Sequence, residues 1–204
     1  RVLRVANSAY YGFAYRTTDL RDAVFRIGLN QLRTIILFTH LQGKILQGSY
    51  FGREVKWLSD VSTALAHLAQ ALAPDLGIPQ DDAFTRGMLM HLEHFVILGM
   101  LPEVARENKT RLRPSTECLW EAISRFGWQV RGLSARQWGL EGLLLADDPE
   151  SAALRLRYDE LQRSLIVQWT GLDLPLEVEG VPSERLTRAL SRIDPQAVFG
   201  ETIL

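Results

Sequence analysis

The sequence predicts an all-α fold, a two-lobed helical bundle, on three observations. Apolar residues recur at three- and four-residue intervals in stretch after stretch, which is the period of a half-buried helix. Nothing alternates with period two for long enough to build a sheet. Glycine, proline and short polar residues fall at the ends of the periodic stretches, where helices start and stop. The expected division is a helical lobe over residues 1–53 and a larger bundle with C-terminal helices over residues 54–204.

The elements follow in order. Residues 1–12 begin as a short helix and end in a turn at Gly12, with Asn7 and Ser8 competing for the helical backbone. Tyr10 and Tyr11 stand beside that turn, either as a binding pocket or as a packed corner. A helix over 20–27 is expected next, with Thr18 or Asp19 as cap and Gly28 ending it in the left-handed conformation. Asn30 then caps a helix over 31–46, apolar at Leu32, Ile35, Ile36, Thr39 and Gly43, and residues 48–52 form a loop. Residues 54–73 read clearly as a helix with Trp57, Val61, Ala64, Leu65, Leu68 and Leu72 on one face. Its many alanines let a neighbour pack closely, and His67 is expected to be partly exposed on it.

The stretch DDAFTRGMLMHLEHFVILGM, residues 81–100, predicts the central helix of the fold. Phe84, Met88, Leu89, Leu92, Phe95, Val96 and Met100 form a wide stripe, Asp81 and Asp82 suit a helix start, and Pro102 is a stop. Phe95 and Trp57 are expected to be deeply buried. Arg106, Lys109, Arg111 and Arg113 make a polar connection to Pro114. Ser115 caps a helix to Phe126, Gly127 breaks it, and residues 128–138 resume the helical spacing. Pro149 starts a helix over 151–169 that Gly171 closes; LDLPLEVEGVP is extended, with room for a strand of two or three residues. Ser183 caps a last helix over 184–193.

A hydrophobic share of 47% against 23% charged residues is that of a packed globular chain. No apolar run approaches the ~20 residues of a membrane span, so no membrane partner is expected. The single cysteine, Cys118, leaves no internal disulfide and fits a reducing, cytoplasmic setting. The chain begins at Arg1 in mid-pattern, which reads as a fragment of a longer protein. Residues 1–53 hold eight lysines and arginines against two acids, and residues 54–204 hold fifteen against twenty-two. A basic lobe could meet nucleic acid or an acidic partner, or pack on the acidic remainder; its arginines are spread along helices, which argues against nucleic acid.

Chemistry is sparsely provided. There is no nucleophile elbow and no phosphate-cradling glycine loop, and the pairs Asp81–Asp82 and Asp147–Asp148 sit where capping explains them. His91, Glu93 and His94 are the one local cluster of possible metal ligands. The two histidines leave the same side of a helix and could share an ion, whereas Glu93 projects away from the line joining them. The plainer reading makes His91 and His94 ordinary half-buried helix residues, and the sequence leans that way.

AFTRGMLMHLEHFVIL, residues 83–98, resembles the central helix of the HDOD family, the HD-related output domain of bacterial signalling proteins. RVANSAYYG at residues 4–12, with Leu20, Ala23 and Ile27-Gly28-Leu29, resembles that family's N-terminal pattern. The family is similar to HD-type metal-dependent phosphohydrolases, in which an adjacent His-Asp pair binds the ion; here Met90 and His91 occupy the pair. Ser59 stands where family members often carry a histidine two positions after Trp57. WGLE at 138–141 resembles a late Trp-x-Leu-Pro turn, with Glu141 replacing the proline. The histidine before that turn and the twin histidines after it are missing, and ADDPE at 146–150 occupies their place.

The resemblance covers most of residues 1–145 and implies an HD-like fold without its catalytic centre. It implies a non-catalytic output domain, with no cofactor and no metal, working through protein contacts in bacterial signal transduction. A sensor or receiver domain in the same chain, as in a response regulator, would supply the input. In the family pattern Asn7, Ser8, Tyr10 and Tyr11 lie near a groove between lobe and bundle, as possible partner-binding residues. The alternative is a residual HD-like phosphohydrolase acting on a nucleotide or phosphodiester.

Overall fold

The computed structural model describes residues 16–46, 51–109, 115–145 and 149–193, together with Leu3 and Ala6, the side chains of 44–46 excepted. Its helices are α1 (Leu20–Ile27), α2 (Leu29–Leu46), α3 (Gly52–Ala71), α4 (Ala73–Leu76), α5 (Gln80–Met88) and α6 (Leu92–Glu107). They continue as α7 (Thr116–Trp138), α8 (Glu141–Leu144), α9 (Pro149–Thr170) and α10 (Ser183–Leu190). Among the described residues the only extended pairing is a single bridge between Val178 and Val181, so the fold is all-α.

Two apolar clusters make the core. One gathers Ile35 and Phe38 of α2, Val55 and Leu58 of α3, Phe84 and Met88 of α5, and Leu92 and Phe95 of α6. The other gathers the far face of α3, from Ala64 to Leu72, with Leu154, Tyr158, Leu161 and Leu165 of α9 and Leu186 of α10. Helix α3 is buried on nearly every side from Leu58 to Gln70 because it lies between the two. Against it runs α5, so close that a Cβ on Gly87 would lie 2.7 Å from the Ala66 Cα. That approach admits only glycine, and the alanines of α3 serve it as the sequence suggested.

The expected central helix is two helices. The ladder tightens at residues 89–91, with Met90 N donating to Gly87 O at 3.4 Å and Leu92 N to Leu89 O at 3.1 Å. The break lets one segment feed both clusters: Leu89, Leu92 and Phe95 enter the first, and Ala83 and Met90 the second. Pro102 does not stop α6, which runs on to Glu107, and Met100 is half exposed rather than on the buried stripe. Residues Gln80–Glu107 are, by length and composition alone, apolar enough to cross a membrane, against the sequence expectation. Half of the most apolar window is buried inside the fold.

Other expectations change for identifiable reasons. The buried face of α2 runs through Gln31, Thr34, Ile35, Phe38 and Gln42, leaving Ile36, Thr39 and Gly43 exposed. Polar side chains lie on that face because each has a partner across it. Gln31 and Asn30 donate to the Asp81 carboxylate at 3.0 and 2.9 Å, Thr34 meets Thr85 at 3.0 Å, and Gln42 donates to Ser59. Asn30 therefore clasps α5 from inside α2 and does not cap it. Asp19 caps α1, accepting from Arg21 N at 2.7 Å. Gly28 has the expected positive φ of 82°, but its ψ of 157° is extended and α2 begins at once. Gly127 does not break α7: it is buried beside Glu93, and tertiary packing outweighs a glycine's cost of about 1 kcal/mol. His67 is buried rather than partly exposed, edge-on to Phe84 at 5.5 Å.

Candidate functional site

The break at residues 89–91 builds the site. A helix interrupted there leaves the Met90 carbonyl without its ladder partner, and a buried carbonyl needs a donor. Arg131, reaching from the middle of α7, supplies it: one Nη1 hydrogen goes to Met90 O at 2.9 Å. The same nitrogen donates to Glu93 Oε2 at 2.7 Å, and both side chains are buried. Glu93 thus turns inward, because its charge is met there. Burial pushes its carboxyl up, but His94 and the Arg131 cation outweigh that and hold the pKa at about 2.

His91 and His94 do come together, with ring centroids 5.0 Å apart and planes crossed at 75°. His91 sits at the N-terminal cap position of α6 and His94 one turn into it. Burial, with the neighbouring His94 adding to it, lowers the His91 pKa to about 4, so its ring is neutral at pH 7. His94 Nδ1 lies 3.4 Å from Glu93 Oε1, and its ring meets Trp120 edge-on at 6.0 Å.

Could this place hold a divalent ion? Among the described residues no three His, Cys, Asp or Glu side chains form a group that could do so. The donor chemistry agrees. Met90 offers a soft thioether packed into the second apolar cluster, and the Ser59 hydroxyl is engaged by Gln42. Glu93, the one carboxylate at hand, is committed to Arg131. The charge fixed beside Met90 and His91 is a guanidinium, and a metal ion does not fit the residues present.

Trp57 is 43% exposed and corrects the expectation of deep burial. It stands in the second turn of α3, on the face away from its core neighbours Val55 and Leu58, and lines an apolar cavity of about 350 Å³ with His94, Leu98 and Trp120. Asn7, Ser8, Tyr10 and Tyr11 lie outside the described residues. So do Arg111, Arg113, Asp147 and Asp148.

Sequence reasoning missed Arg131. The signal was present: Gly127, Arg131, Ser134 and Ala135 share one stripe of α7, and all four are buried. An arginine on a stripe of small residues has to find buried acceptors, because an unpaired charge there is costly.

An all-α helical domain built around a central segment that breaks over a buried arginine is the class that the fold and the site define. Within that class the chain matches the family model of the HDOD domain over residues 1–145, and it belongs to the HDOD family. No curated protein and no solved structure matched the chain. The family match ends at α8, so α9 and α10 lie beyond it, although they complete the second apolar cluster.

Proposed function

We propose that this HDOD domain is a non-catalytic signalling module that works through protein contacts. The observation that carries the reading is the Arg131 clamp. The position of the metal-binding pair is taken by Met90 and His91, and Arg131 fixes that backbone and neutralises the adjacent Glu93. Such an arrangement holds a shape rigidly and offers no activated water or nucleophile. The setting that suits it is the bacterial cytoplasm, as the output part of a response regulator or a similar multidomain protein. A sensor or receiver domain would deliver the input, and nucleic acid and membrane play no part.

The contact residues proposed are Asn7, Ser8, Tyr10 and Tyr11. Adjacent tyrosines give large contact area at low entropy cost, and Arg4 and Arg16 add attraction for an acidic partner. The test is capture of partner protein by the wild-type chain and by Tyr10→Ala and Tyr11→Ala, with stability measured alongside. At least one variant is expected to fold normally and lose the partner. Full capture by the folded fraction of both would remove these residues from the contact, and no specific capture by the wild type would remove the function.

A further inference from the structure

On the other side of the Met90 segment lies a cavity of about 200 Å³, between α5, α7 and α9. Three of its lining residues are arginines, one from each helix: Arg86, Arg131 and Arg155. Met90, Trp128 and Tyr158 form much of the rest, and among the described residues no carboxylate lines it.

Charges so placed repel one another and are normally balanced by acids. Here the balance is incomplete. Arg131 has Glu93, but Arg86 and Arg155 have no ion pair among the described residues. Arg155 rests over the Trp128 ring at 5.8 Å, which orients its guanidinium without neutralising it. The Nε atoms of Arg86 and Arg131 are buried and have no hydrogen-bond partner. A buried N–H left unpaired costs free energy, so both guanidinium groups are held with part of their donor capacity unused. Among the described acids, Asp159 senses Arg155 and Arg131 but does not line the cavity, and Asp82 lies one turn before Arg86. Tyr158 is not available as a donor, since its hydroxyl is given to Ala83 O at 2.8 Å.

We propose that this arginine-lined cavity binds the phosphate group of a small phosphomonoester. Guanidinium forks match the oxygen geometry of phosphate, and three of them from separate helices surround a dianion better than a carboxylate. The volume equals that of about six or seven waters at ~30 Å³ each, enough for a phosphate with a small organic group. Because Arg131 also holds Met90 O and Glu93, an anion here would bear directly on the segment that divides the two cores. The site involves binding only and does not depend on the protein-contact reading.

The test is calorimetric titration of the intact chain with inorganic phosphate and with glycerol 3-phosphate at constant ionic strength. Glycerol and sodium chloride serve as controls. One saturable site per chain is expected for a phosphate-bearing probe, with no response to either control. Tighter binding of the ester would place its organic part in the cavity; tighter binding of inorganic phosphate would make the free ion the ligand. Arg86→Met and Arg155→Met should each weaken binding by about tenfold or more, the worth of one charged hydrogen bond. Arg125→Met, at an exposed residue of α7 that rests over Phe126 and does not line the cavity, should leave it unchanged. Arg155 is exposed, so its variant tests the site even if Arg86→Met fails to fold. The proposal is overturned if neither probe saturates, if glycerol binds as well as its phosphate, or if Arg155→Met binds with wild-type affinity.

Discussion

Phe95→Ala is expected to destabilise the chain by about 3–5 kcal/mol, the range for truncating a fully buried aromatic side chain. The ring has no exposed surface and stands edge-on to Phe38 of α2, centroids 5.1 Å apart, so it joins α2 to α6 within one apolar cluster. Truncation therefore opens a cavity and removes an aromatic pair at the same place. Trp57→Ala provides the contrast. That side chain is half exposed, and its loss should stay below about 1 kcal/mol. Urea denaturation of the two variants beside the wild type measures both. Equal losses, or a Phe95→Ala loss below about 1 kcal/mol, would contradict the placement of α6 at the centre.

Arg131→Met carries the second large effect, again about 3–5 kcal/mol at pH 7, because it leaves a buried carboxylate without its cation. The Met90 carbonyl loses its donor in the same step. The pH dependence has a definite sign. In the wild type the Glu93 pKa is depressed from 4.5 to about 2, so its contribution is complete above 4.5 and is lost as pH falls toward 2. Without Arg131 the carboxylate keeps His94 but loses its cation, so its pKa rises and the stability that the wild type gains above pH 4.5 shrinks. Glu93→Met on the Arg131→Met background should recover most of the loss at pH 7. Denaturation midpoints between pH 4 and 8 decide the matter, and a variant with wild-type stability across that range would show that the ion pair holds nothing.

How much of this was legible in the sequence depends on what each residue had to answer to. Helical period and caps are local, so α1, α3 and α9 emerge with nearly their true bounds, and Val61, Leu65 and Leu68 lie where the stripe put them. The family pattern at residues 83–98 named the family and the central segment. Polar positions were less legible, because their burial depends on partners far along the chain. Gln31 and Thr34 are buried since Asp81 and Thr85 face them some fifty residues away. Counting apolar residues on α2 consequently chose the wrong face. The break at residues 89–91 was hidden for the same reason: a continuous apolar period gives no warning that Arg131 will take the Met90 carbonyl. Gly127 misled in the opposite direction, since a glycine within a buried stripe can serve packing as well as punctuation.

The most direct measurement of the central claim is the metal content of the purified chain after extensive dialysis, by elemental analysis. With Met90 in the metal-binding position and Arg131 fixed beside it, no stoichiometric zinc, iron or manganese is expected. Hydrolysis of phosphodiesters, cyclic dinucleotides among them, should stay at background in the same preparation. Retention of about one equivalent of metal per chain, abolished by His91→Ala, would contradict the account and restore the hydrolase reading.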